Sequence, residues 1–139
     1  MGATAMEAAA ASTEIWVLGW SVVLLLAQVI AQASAASDLG PKYLFSPRDE
    51  NRVSHSVVAG RLNRALHNLL ETYPAFVALA LGLAVAGKTG GLAATGAVIW
   101  LVARVLYAIA YAVGVPVVRT ALWFVSIIAL VMMLIRLMF

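Results

Sequence analysis

The chain contains no cysteine. That absence excludes disulfides, thiolate metal sites and a protein-borne sulfur nucleophile, so any thiol chemistry must use a thiol carried by a substrate. Charge is also scarce: 11% of the 139 residues are charged, against about a quarter in an ordinary soluble domain. There are six acids and two histidines. His55 and His67 have no thiol or second carboxylate at ligand spacing, so no metal site is expected. The formal charge of +3 comes from dispersed arginines and offers no basic stripe for nucleic acid. What the chain has in excess is apolar residues, at 64%. At this length and composition, one membrane-embedded domain covering residues 1–139 is expected.

Hydropathy divides the chain into four segments, about 15–36, 57–86, 92–113 and 117–138. Each is long enough to cross a hydrocarbon core of about 30 Å at 1.5 Å per residue. The fold class expected is all-α, an integral membrane four-helix bundle of left-handed packing. The residues before Ile15 include Glu7 and Glu14 and no basic residue, which does not suit a signal peptide. The first apolar run is therefore read as an uncleaved span, and the Ala-rich first dozen residues as frayed. Lys88-Thr89-Gly90-Gly91 is a short turn that makes segments two and three an antiparallel hairpin, and Gly114-Val115-Pro116 ends segment three. Lys42, Arg48, Arg52, Arg61, Arg64 and Arg119 gather on one side, with Lys88 and Arg136 on the other. The positive-inside rule places both termini outside the cytoplasm, in the inner membrane if the source is bacterial.

The second segment opens with Arg61-Leu62-Asn63-Arg64-Ala65-Leu66-His67-Asn68-Leu69-Leu70-Glu71-Thr72-Tyr73-Pro74. At about 100° per residue, Arg61, Arg64, His67, Asn68 and Glu71 share an arc of about 120°, and leucines fill the other side. A charge inside a bilayer costs at least about 2.5–3.5 kcal/mol, so this face should meet partners or a wet cavity. Counting from the hairpin turn places Glu71 about 22 Å and Arg104 about 20 Å down their helices. A Glu71–Arg104 ion pair is therefore expected, with Asn68 beside Tyr107 and Arg64 beside Tyr111. Arg104, Tyr107 and Tyr111 share one face at i, i+3, i+7. Arg119 and Trp123, at i and i+4 with Thr120 between, stand at the same mouth. Four arginines around one deep acid make a cavity suited to an anion. Trp16, Trp20, Trp100 and Phe139 are expected to face lipid or the interface. The small residues Gly60, Gly82, Ala86 and Ala108 permit close helix approach.

These residues resemble the MAPEG family, the membrane-associated proteins of eicosanoid and glutathione metabolism, and look like a bacterial-type member near its microsomal glutathione transferase and prostaglandin E synthase branches. Arg64 to Pro74 looks like the family's R-A-x-x-N-x-x-E-x-x-P signature. Ala103-Arg104-Val105-Leu106-Tyr107 with Tyr111 looks like its third-helix pattern, and Arg119-Thr120 with Trp123 its fourth-helix R-[ST]-x-x-[YW]. Ser46-Pro47-Arg48-Asp49 is similar to its N-P-E-D element. The resemblance implies a homotrimer with sites between subunits on the cytoplasmic side, glutathione as cofactor, and lipophilic substrates entering from the bilayer. It implies glutathione contacts from Arg64, His67, Asn68, Glu71, Arg104, Tyr107, Tyr111 and Arg119, with Arg119 and Thr120 catalytic through the thiolate. The chain departs from the family at three places. His67 replaces a common Arg or Gln, Gln28, Ile30 and Gln32 stand where a first-helix arginine is frequent, and Trp123 replaces a tyrosine. A glutathione S-transferase with peroxidase-like activity is the leading expectation. A non-catalytic lipid-binding protein and a purely structural membrane protein are the alternatives.

Overall fold

A computed structural model describes residues 2–139, and every regular element among them is helical. Helix α1 covers Gly2–Ala10, α2 Thr13–Ala35, α3 Pro41–Leu44, α4 Val57–Val85, α5 Gly91–Val113 and α6 Pro116–Met138, with a 3₁₀ turn at Ser37–Leu39. Four of them, α2, α4, α5 and α6, are long and apolar enough to cross a membrane. Their ends differ by one or two residues from those read off hydropathy, because caps rather than apolarity set the termini. Ser12 and Ser56 adopt extended backbone and accept from the amides of Ile15 and Ala59, which starts α2 and α4. Pro116 occupies the first turn of α6, where its missing N–H has no partner to lose. Gly114 closes α5 in the left-handed region at φ 87°.

The N-terminal dozen does not fray as expected. Residues Gly2–Ala10 form a helix, and the break falls at Ala11–Ser12, where Ser12 caps the next helix. Glu14 is the larger surprise. It is fully buried, and its Oε1 accepts from the Gly90 amide at 2.8 Å. Gly90 is the residue that precedes α5, so the carboxylate satisfies a free amide where the helix dipole is positive. At the same end, Lys88 Nζ donates to the Leu137 carbonyl at 2.9 Å and serves the last turn of α6. Glu14→Ala should therefore lower stability by about 1–3 kcal/mol, read as an earlier thermal transition of the detergent-solubilised protein.

The centre of the bundle is aromatic and small. Trp100 is fully buried and lies flat on Phe76, with ring centres 3.8 Å apart, and Tyr73 packs beside both. This corrects the interfacial role expected for Trp100; Trp16, Trp20 and Phe139 are exposed. Tyr73 also bonds through its hydroxyl to Ser21 at 2.9 Å, tying α4 to α2. On α5, Ala93, Gly96 and Ala97 are buried and let α6 approach. A Cβ at Gly96 would sit 2.9 Å from the Ala129 carbonyl oxygen. Gly96 thus marks a close approach of α5 to α6, a place the small-residue reading did not single out.

Candidate functional site

The polar face of α4 turns toward the C-terminal half of α5 and the first turn of α6. Two adjoining cavities result. The larger, about 360 Å³, is lined by Asn63, Arg64, His67, Asn68, Glu71, Tyr107 and Tyr111. The smaller, about 200 Å³, is lined by Arg61, Arg64, Tyr111, Gly114, Pro116 and Arg119 among others. Arg64 and Tyr111 form their shared wall. Arg64 Nε donates to the Tyr111 hydroxyl at 3.2 Å, at the helix register anticipated from the hairpin turn. The Arg119 guanidinium lies 4.6 Å from the centre of the same ring. Tyr111 therefore positions a cation from each neighbouring helix, one through its hydroxyl and one through its π-system.

The expected Glu71–Arg104 ion pair does not form. Arg104, 1% exposed, donates from Nη1 to Asn68 Oδ1 at 2.9 Å instead. Its guanidinium rests 4.4 Å from the centre of the Tyr107 ring, one turn further along α5. That stacking draws the head group past the level of Glu71 to the level of Asn68. The Arg104 Nε and Nη2 atoms are buried with no partner. Glu71 stays exposed on the wall of the larger cavity, and among the described residues the one ion pair is Arg52–Glu50, in the first connection.

His67 is exposed, and its Nδ1 lies 2.9 Å from the Asn63 carbonyl. A carbonyl can only accept, so Nδ1 carries the proton and Nε2 is left available to the cavity. Tyr107 is buried and meets Tyr111 edge to face at 5.7 Å. Arg61 donates to the Ala112 carbonyl at 3.3 Å, serving the end of α5.

Thr120 is not brought to this cluster. Its hydroxyl donates to the Pro116 carbonyl at 3.0 Å, and its side chain lines an outward groove with Val117 and Phe124. Trp123 is half-buried and packs edge to face on Phe124. Sequence reading took Gly114 for a simple helix end, and it missed the contact made there. A Cβ at Gly114 would fall 2.8 Å from Arg61 Cζ. Gly114→Ala should cost about 1–2 kcal/mol from the left-handed backbone alone, and should weaken anion binding by displacing Arg61. Thermal unfolding and ligand titration of the same variant would measure the two effects.

The cluster offers the cations Arg61, Arg64 and Arg119 to a ligand, with Glu71 as its one acid. Such a donor set suits a flexible molecule carrying more than one carboxylate and one ammonium group. A profile of the MAPEG family matches residues 10–139. No curated protein and no solved structure matches the chain.

Proposed function

The chain belongs to the MAPEG family, and on that premise we propose that it is a membrane glutathione S-transferase with peroxidase-like activity toward lipid hydroperoxides. The observation that carries the reading is Arg119 held against Tyr111 in a cavity that Arg61 and Arg64 also line. Arg64 and Arg61 would hold the carboxylates of glutathione, and Glu71 its ammonium group. Asn68, fixed by Arg104, and Tyr107 would complete the contacts along the larger cavity. Glutathione supplies the sulfur nucleophile that the cysteine-free chain lacks. A free thiol has a pKa of about 8.5, and a guanidinium beside it favours the thiolate at neutral pH. Arg119 would supply that charge. With a carbon electrophile, sulfur bonds to the carbon as the leaving group departs with the electron pair of the bond that breaks. With a hydroperoxide, sulfur bonds to the terminal oxygen as the O–O bond breaks to release the alcohol, and a second glutathione converts the resulting sulfenic acid to the disulfide and water.

In this reading the protein works as a homotrimer with sites between subunits. Its termini lie outside the cytoplasm and the site opens toward it. Lipophilic substrates arrive through the bilayer. The outward Thr120 hydroxyl would serve the thiolate only by turning away from Pro116, and this specifically favours a second reading, a lipid-binding member without catalysis. Equilibrium binding of glutathione to the purified protein, followed by the ultraviolet absorbance of the thiolate, separates the two. Binding with a thiolate band is the expected result. Absence of binding at millimolar glutathione, together with retention of a fatty acid, would establish the second reading in place of the first.

A further inference from the structure

The first connection, residues 37–56, builds a separate cavity of about 490 Å³ where α2 ends and α4 begins. It is framed by the end of α2 (Gln32 and Ala36), by Tyr43, and by Ala59 and Asn63 of α4. The apolar spans stop at this level, so the cavity stands at the boundary between hydrocarbon and water. Its frame is tied together. Tyr43 accepts from the Arg52 amide at 2.7 Å, and the Asp38 carboxylate accepts from the Ser54 hydroxyl and the His55 amide.

Two kinds of group line the opening. Among the described residues, Arg48 and Arg52 are the only charged ones on the wall. Arg48 spends Nε and Nη2 on the Leu44 carbonyl, and Arg52 spends Nε on Glu50 and rests its guanidinium 5.2 Å from the centre of the Tyr43 ring. This leaves Arg48 Nη1 and both terminal nitrogens of Arg52 without a hydrogen-bond partner among the described residues. The acids of the connection, Asp38, Asp49 and Glu50, do not line it. Beside these cations, Phe45 is 92% exposed and Val53 77%. An apolar aromatic ring next to arginines, at the level of lipid headgroups, is the pattern of a group that enters the bilayer.

We propose that this cavity binds an anionic phospholipid: Arg48 and Arg52 hold its phosphate, and an acyl chain runs along Phe45, Val53 and the apolar wall. The two arginines favour a lipid of net negative charge over a zwitterionic one, because Glu50 pairs with Arg52 from off the wall and no carboxylate pairs with Arg48 among the described residues. A free inorganic anion would leave the apolar half of the cavity without a partner. The site does not depend on glutathione chemistry. Asn63 is the residue its wall shares with the larger cavity on the polar face.

The test is lipid retention by the full chain, purified in mild detergent with equal phosphatidylglycerol and phosphatidylcholine and read by native mass spectrometry. The wild-type protein should retain phosphatidylglycerol preferentially. The double variant Arg48→Gln/Arg52→Gln should lose that preference by roughly tenfold or more. Arg136→Gln, which removes an exposed charge at the opposite end of the bundle, should keep it. Should the double variant not fold, Arg52→Gln alone, whose exposed pair with Glu50 contributes little to stability, should still lower the preference about threefold. Equal retention of the two lipids by wild type would overturn the proposal. So would an undiminished preference in the variants, or an equal loss in Arg136→Gln, which would mean general charge attraction. Failure of the wild-type oligomer to hold any lipid would also overturn it and would point to a second copy of the chain covering the cavity.

Discussion

Arg119→Ala is expected to abolish the glutathione thiolate band and to lower transferase turnover by about 10²–10³-fold, with the helical fold unchanged. The magnitude is that of removing one preorganised charge from the place where negative charge is stabilised during reaction. The fold should survive because Arg119 has no hydrogen bond from its side chain to another element; its contact is the face of the Tyr111 ring, worth about 0.5–2 kcal/mol. Arg119→Lys sharpens the test. A lysine keeps the charge but lacks the planar guanidinium that stacks on the ring, so it should recover part of the thiolate and little of the turnover. Stopped absorbance measurements with and without electrophile would separate the two. A wild-type thiolate band in Arg119→Ala would sink the proposed role of this residue.

Trp100→Ala should be the most damaging single substitution for stability, at about 3–5 kcal/mol. Trp100 is fully enclosed, and its stacking on Phe76 with rings 3° from parallel fills the place where α4 and α5 meet. In a bilayer the transfer of apolar surface from water contributes little, so the cost comes from lost dispersion and an unfilled cavity. Trp100→Phe keeps a ring for Phe76 and removes the indole N–H, which is buried without a partner. It should cost clearly less. Denaturant unfolding in mixed micelles would rank the two, and an alanine variant as stable as the phenylalanine variant would show that the stack does not hold the bundle.

Local pattern carried much of the site. The arginines, asparagine and glutamate of α4 recur at helical spacing, so their common face follows from 3.6 residues per turn without any knowledge of neighbours. The short Lys88–Gly91 turn then set α5 in register, and Arg64 meets Tyr111 where counting places it. The same counting failed for Arg104. Backbone depth was right, but a long side chain can choose among partners one turn apart. Stacking on Tyr107 took it to Asn68. Thr120 shows a related limit. It neighbours Arg119 in sequence, yet about 100° of rotation separates them on α6, and only the packing of that helix shows which one faces the arginine cluster.

By itself, the sequence determined that this protein is helical and membrane-spanning, where its four spans lie to within one or two residues, and which face of α4 is polar. Those properties depend on composition and on periods of a few residues, and a chain cannot hide them. Tertiary structure alone decided which tryptophan is enclosed, that Glu14 serves a helix end 76 positions away, and that Arg104 pairs with an amide rather than an acid. Each of these is settled by competition between partners distant in the chain. The winner depends on side-chain reach and on helix rotation, which local pattern does not encode.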